Sequence, residues 1–319
     1  MAEPSRRREL LGLLFRIALT CGVFALLFSR IDVGAVSSSI QRIPAASLLG
    51  SIAALLSVIA LGIVRWRTLL RAYGALRTPT WGFLARWFVV AMFYNLLPGA
   101  VGGDVLRGVA TRSYFAEGSA TRSVSVVFVE RIMGLSGLLL LCASATVMSA
   151  TVDREVLLYT VLGLGAACGA ILAITIGRRF ADYLPGKLAQ VARSLPAIER
   201  PADFALAVLL SVLGHVGLSL SGHFLISSLT PNVSVAQSMV IFPLGTLAAI
   251  FPLTVAGAGA RDAALVVLFA RIGVARADAL ATSLLLLVCN LGLAGLGGLF
   301  QGRRLFAADP EPAVRTDDA

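Results

Sequence analysis

Six stretches of this chain, Leu10–Phe28, Ala45–Val64, Val124–Met148, Val156–Ile176, Phe204–Leu229 and Ala279–Phe300, are apolar over about the 20 residues a helix needs to cross a bilayer. Within the hydrocarbon layer every backbone N–H and C=O must be bonded inside the chain, which leaves only helices or closed barrels. Runs this long read as helices. The predicted fold class is therefore all-α, a polytopic membrane helix bundle with about six full spans. Composition excludes the soluble alternative: 58% of the 319 residues are hydrophobic and 14% are charged, against about 25% charged in soluble domains. The polar connections are too short to fold alone, so residues 1–306 are read as a single transmembrane domain. The polar tail, 307–319, is expected to be disordered.

The formal charge is +10, carried almost wholly by arginine, with Lys187 the sole lysine. In a soluble protein that excess would suggest nucleic acid. Here the arginines gather at the ends of apolar runs, where they set orientation and meet anionic lipid headgroups. Membrane lipids, not nucleic acid, are the expected partners. Arginine in place of lysine points to a GC-rich bacterial genome, and so to a bacterial inner (plasma) membrane. Arg6, Arg7 and Arg8 place the N-terminus in the cytoplasm. They imitate a secretion signal, but Arg16 interrupts the run and no small-residue cleavage site follows, so an uncleaved first helix is expected.

The same rule carries through the chain. The basic residues Arg65, Arg67, Arg71 and Arg77, and later Arg178, Arg179, Lys187, Arg193 and Arg200, both belong on the cytoplasmic side. Val124–Met148 and Val156–Ile176 form an out-and-back pair between them. The segment Trp81–Arg122 must then begin and end on one side, as a re-entrant hairpin broken at Pro98, Gly99, Gly102 and Gly103 and returning through Val105–Phe115. By the same logic Ala236–Ile272 begins and ends outside, broken at Pro252, Gly257 and Gly259. Arg303 and Arg304 bring the C-terminus back to the cytoplasm. Two Gly/Pro-broken hairpins entering from opposite faces is the arrangement of an inverted-repeat transporter. In residues 178–200, Phe180, Leu184, Leu188, Val191 and Leu195 recur at helical spacing, which predicts an amphipathic interfacial helix. Trp66, Trp81, Trp87 and Tyr73 are read as an aromatic belt at the cytoplasmic boundary.

Charged side chains at membrane depth cost about 2.5–3.5 kcal/mol each on insertion scales, and they persist where paired or wetted. Six fall at the hairpins and one adjoining helix: Asp104, Arg107, Glu130, Arg131, Arg261 and Asp262. Glu130 and Arg131 point about 100° apart on a helix and need partners elsewhere. Arg107 suits Glu130, and Asp104 or Asp262 suits Arg131. A structural charge lock and a substrate cavity both fit this cluster. Gly102 and Gly103 start a helix at Asp104, and Gly257 and Gly259 do so before Arg261. Free N–H groups at such helix starts attract anions, and arginine adds bidentate contacts to a phosphate. Asn95 is placed either to cap the first break or to touch substrate. Ser211, His215, Ser219 and His223 form a stripe every four residues, read as helix packing or as a cavity lining. Cys21, Cys142, Cys168 and Cys289 stand singly in apolar surroundings, so no metal or cofactor is expected.

On these motifs the chain resembles the lysylphosphatidylglycerol synthase transmembrane family, whose members are flippase-like. The resemblance rests on Asn95 through Pro98 and Gly99, on Gly102, Gly103, Asp104 and Arg107, on Glu130 and Arg131, and on Pro252 through Gly257, Gly259, Arg261 and Asp262. The last segment departs: Val255 and Ala256 precede Gly257 where the family has Pro-Gly-Gly, and Asp262 stands where Glu is usual. The resemblance implies the translocating half of two-part members, without their soluble aminoacyltransferase. The expectation is a flippase moving a lipid with an anionic or phosphate headgroup, contacted by Asn95, Gly102, Gly103, Asp104, Arg107, Glu130, Arg131, Gly257, Gly259, Arg261 and Asp262. Two alternatives remain open: an intramembrane lipid-linked glycosyl or acyl transferase with Asp104 or Glu130 as base, and a non-catalytic partner of a separately encoded lipid-modifying enzyme.

Overall fold

Each expected apolar run lies within a helix. The computed structural model describes residues 3–96, 102–116, 120–148, 154–183, 185–186, 189, 197–250 and 258–305. The helices are α1 (Glu3–Arg30), α2 (Val33–Arg42), α3 (Ala45–Ala72), α4 (Trp81–Leu96), α5 (Gly102–Ala110), α6 (Ala120–Met148), α7 (Arg154–Ile176), α8 (Pro201–Leu229), α9 (Val235–Ile250), α10 (Ala260–Arg271) and α11 (Arg276–Leu305). No strand occurs among the described residues. By length and composition α3, α6, α8 and α11 suffice to cross a membrane, and α1 with α2 makes a bent fifth. The fold is a polytopic membrane helix bundle. Leu49, Leu56, Val161, Leu162, Leu209, Val288 and Leu299 lie on its surface, as side chains solvated by lipid would. The turns 97–101 and 251–257 lie outside the described residues, and with them Pro98, Gly99, Pro252 and Gly257. So do the tail 307–319 and much of 184–196; the start of the expected interfacial helix is a 3-10 helix, Gly177–Tyr183.

Helices α3 and α8 pack antiparallel along their length. Gly50 lies against Phe224, Gly217 against Val58, Arg65 against Ser211, and Arg71 against Asp203. Glycine at such crossings lets backbones approach where lipid supplies no hydrophobic drive. At the Arg71 end, the Leu76 N–H donates to Tyr114 O at 2.8 Å, and the Phe83 and Tyr114 rings are 5.6 Å apart. The α4–α5 pair thus enters and leaves at that end, as the first hairpin was expected to do. At the opposite end, Val233 and Val274, which flank α9 and α10, share an apolar core with Ile31 and Val36. The second hairpin enters there.

The element order therefore repeats. Long α3 (28 residues), broken α4–α5 (16 and 9) and long α6 (29) are followed by α8 (29), α9–α10 (16 and 12) and α11 (30). Contacts correspond as well: α4 packs on α11 as α9 packs on α6, and each second arm packs on its own long helix. With α3 and α8 antiparallel, the two units have opposite sense, as an inverted repeat requires.

Two expectations are corrected. Trp66 and Tyr73 are not belt residues; both are fully buried, in the core around the first hairpin. Trp81 is exposed, with Arg67 stacked 4.4 Å from its ring. Helix α2 was not foreseen. Asp32 Oδ1 caps it by accepting from the Gly34 N–H at 2.8 Å, and the chain turns 89° there. Ser39 donates to Asp278 Oδ1 at 2.6 Å, tying α2 to the start of α11.

Candidate functional site

Arg65 lies seven residues before Ala72, about 10 Å along α3 from the Arg71 end. Around it the first hairpin and α6 assemble a five-residue charge network. Arg65 Nη2 donates to Glu130 Oε1 at 3.0 Å, and Arg107 Nη1 lies 3.2 Å from Glu130 Oε2. Arg107 Nη2 donates to Asp104 Oδ1 at 2.9 Å, and Arg131 Nε donates to Asp104 Oδ2. The pairings anticipated for Glu130 and Arg131 are thus present, with Asp104 rather than Asp262 taking Arg131. Arg65 joins them although its sequence position looked like a membrane boundary. One signal was available: it is the first of four arginines after an apolar run, so it lies deepest.

Burial decides what these groups can do. Glu130, Asp104 and Arg107 are all buried, whereas half of the Arg131 side chain is exposed. Arg107 is also held between the rings of Trp66 and Phe88, each 5.0 Å away. That cation–π contact explains why Trp66 is inside rather than in a belt. The network has three guanidinium groups against two carboxylates, leaving one net positive charge.

At the start of α5, Asn95 resolves to a cap. Its Oδ1 accepts from the Gly103 N–H at 3.2 Å, and its Nδ2 donates to Asp104 Oδ1 at 3.4 Å. The amide expected to attract an anion at Gly103 is therefore occupied. Gly103 itself is required by contact, because a Cβ there would collide with the Ala91 carbonyl of α4. Gly102 is exposed and has open space around it.

The network forms one end of a cavity of about 560 Å³. Arg65, Asp104, Arg107, Glu130 and Arg131 line the charged end. Leu55, Val58, Leu135, Leu138 and Leu218 line the part that continues inward. From Arg65 to Leu55 the cavity follows α3 for about 15 Å. It is amphipathic along its length.

The second motif is built differently. Asp262 is fully buried and accepts from the Gly259 N–H at 2.7 Å and from the Ser283 hydroxyl. Gly259 adopts φ 86° and ψ −59°, which residues with a Cβ rarely reach. Arg261 Nη2 reaches Asp262 Oδ1 and Ser283 O, each at 3.4 Å. None of Gly259, Arg261 and Asp262 lines the cavity. The two motifs expected to share one binding site are therefore not brought together in it, because Asp262 is turned onto its own helix start and α11. The histidine stripe divides likewise. His215 lines the cavity, while His223 Nδ1 pairs with the Ser238 hydroxyl at 3.0 Å.

A search of curated proteins finds no match to this chain. The sequence pattern described as the lysylphosphatidylglycerol synthase TM region matches residues 13–298, from within α1 to the last turns of α11. It takes in both broken hairpins and the charge network, and the chain belongs to that family of membrane domains.

Proposed function

We propose that the protein is a flippase-like carrier that takes a phosphate-bearing lipid across the membrane. The observation that carries this reading is the amphipathic cavity. A lipid phosphate suits the end where three arginines outnumber two carboxylates, and acyl chains suit the leucine-lined remainder. In this reading the substrate contacts are Arg65, Arg107 and Arg131, with Asp104 and Glu130 holding them in place. Gly102 stays a candidate contact at the open start of α5, and Gly257 one at the second break. Asn95, Gly103, Gly259, Arg261 and Asp262 are assigned to the scaffold. The Arg71 end faces the cytoplasm of a bacterial cell, with both termini on that side. Residues 1–306 act as one translocating domain, with 178–200 at the interface, beside a separately encoded lipid-modifying enzyme that supplies the lipid.

An intramembrane transferase is the weaker reading on a specific ground. A general base needs a carboxylate free to take a proton, and Asp104 and Glu130 each face two arginines. Reconstitution in liposomes with fluorescent phospholipids of several headgroup classes tests the proposal. Headgroup movement above that of empty vesicles is expected. Movement no faster than in empty vesicles for every class overturns it.

A further inference from the structure

The inverted repeat pairs residues as well as helices. Both long helices of the second unit begin 156 residues after those of the first, α8 at Pro201 against α3 at Ala45 and α11 at Arg276 against α6 at Ala120. The cavity obeys that spacing. Leu55 maps onto Ser211, Ile59 onto His215 and Gly62 onto Leu218, and all six line it. Gly134 of α6 likewise maps onto Asn290 of α11, and both line it. Arg65 breaks the match. It lines the charged end, while its counterpart Ser221 lies beyond the cavity and is fully buried. Glu130 has Leu286 as its counterpart, buried in the apolar core at the end opposite Arg71.

Ser221 carries an independent sign of use. Elsewhere on α8 the hydroxyls of Ser211, Ser219 and Ser228 donate to carbonyls of their own helix at 2.9, 2.8 and 2.7 Å. That local bond is how a serine inside a helix is ordinarily satisfied. The Ser221 hydroxyl makes no hydrogen bond among the described residues, although the residue is wholly enclosed. Burying a polar group without a partner is unfavourable, so this hydroxyl suits a state in which it meets one. Its depth matches that of Arg65. Ser221 lies eight residues, about 12 Å, from the Leu229 end of α8, as Arg65 lies about 10 Å from the Ala72 end of α3.

We propose that Ser221 is a phosphate contact in a second mouth, which opens at the end opposite Arg71 when the two repeat units exchange conformations. This rests on the carrier reading and deepens it. Units of opposite sense give a bundle whose open end has a closed image at the other face. In the exchanged state Ser221 stands where Arg65 stands now, and Leu286 where Glu130 stands. A phosphate oxygen there meets a neutral hydroxyl donor, a weaker partner than a guanidinium. The lipid phosphate is therefore held more tightly at the charged mouth than at the neutral one.

Thiol access tests this in the full chain, with Cys21, Cys142, Cys168 and Cys289 changed to alanine. Ser221→Cys is compared with Ser211→Cys on the open cavity and with Ser136→Cys, whose hydroxyl is also buried and unpaired but lies outside the cavity. A membrane-impermeant charged methanethiosulfonate is applied to sealed vesicles of either orientation. Ser211→Cys should be labelled from the Arg71 end, and Ser136→Cys from neither. Ser221→Cys should be labelled from the opposite end, at about one hundredth of the Ser211→Cys rate or faster, since minor conformers are populated to that order. Leu286→Cys should behave as Ser221→Cys does, and stands in for it should that variant not fold. Labelling at both positions no faster than at Ser136→Cys, or from the Arg71 end alone, overturns the second mouth. Lipid movement by the cysteine-free protein in liposomes reports on the carrier reading separately. Movement without labelling leaves the carrier and removes the second mouth; labelling without movement does the reverse.

Discussion

The two broken hairpins have related sequences and opposite fates. In the first, Asp104 and Arg107 reach across to Arg65 on α3 and to Glu130 and Arg131 on α6, at the mouth of a cavity. In the second, Asp262 bonds its own helix start and Ser283, and Arg261 has only long contacts. The partner helix decides the difference. Helix α6 supplies a charged pair to the first hairpin, while α11 supplies a hydroxyl to the second. A carboxylate whose close donors are neutral, with its one arginine no nearer than 3.4 Å, becomes a cap. One that meets arginines becomes part of a charged surface with something left over for a ligand.

The comparison breaks most visibly at Glu130. Glu130→Ala strands Arg65 and Arg107 without their shared acid, and should lower stability by about 3–5 kcal/mol in detergent unfolding. Retained stability would show that the network is not tightly coupled. Asp262→Ala removes a buried charged acceptor and should cost about 1.5–3 kcal/mol. Lipid retention by its folded fraction should not change. Loss of retention there would restore the second hairpin as a binding element.

Arg65→Gln separates function from stability on the other side. Glu130 keeps Arg107, so unfolding should move little, while retention of an anionic phospholipid falls about tenfold, or about 1.4 kcal/mol. An unfolding shift as large as that of Glu130→Ala would make Arg65 structural instead. Arg261→Met should do least, under about 1 kcal/mol in unfolding, since its contacts are near the limit of a hydrogen bond. It should leave lipid retention unchanged in native mass spectrometry.

Much of this was legible in the residues. The apolar runs gave the helices, and the arginine distribution required each hairpin to enter and leave on its own side, the two on opposite faces. Glu130 and Arg131 could be paired in advance because adjacent helical residues cannot serve each other. Trp66, Arg65 and His215 were not legible in the same way. Each lies where a helix meets a neighbour more than 40 residues away, and local pattern carries no record of that meeting. Helix α2 escaped for another reason: ten residues, three of them serines, look like a loop until Asp278 anchors Ser39.

Sequence alone determined that this chain lives in a bilayer, because composition sets which solvent a surface can tolerate. It also located the polar residues that a bilayer tolerates only when paired or wetted. Which of them face a cavity was decided by tertiary structure. Asp104 and Asp262 follow similar glycine turns, and what separates them is the group each next long helix brings within hydrogen-bonding distance, Arg131 for Asp104 and the Ser283 hydroxyl for Asp262. That distance is fixed by packing, through glycines such as Gly103 that admit no side chain.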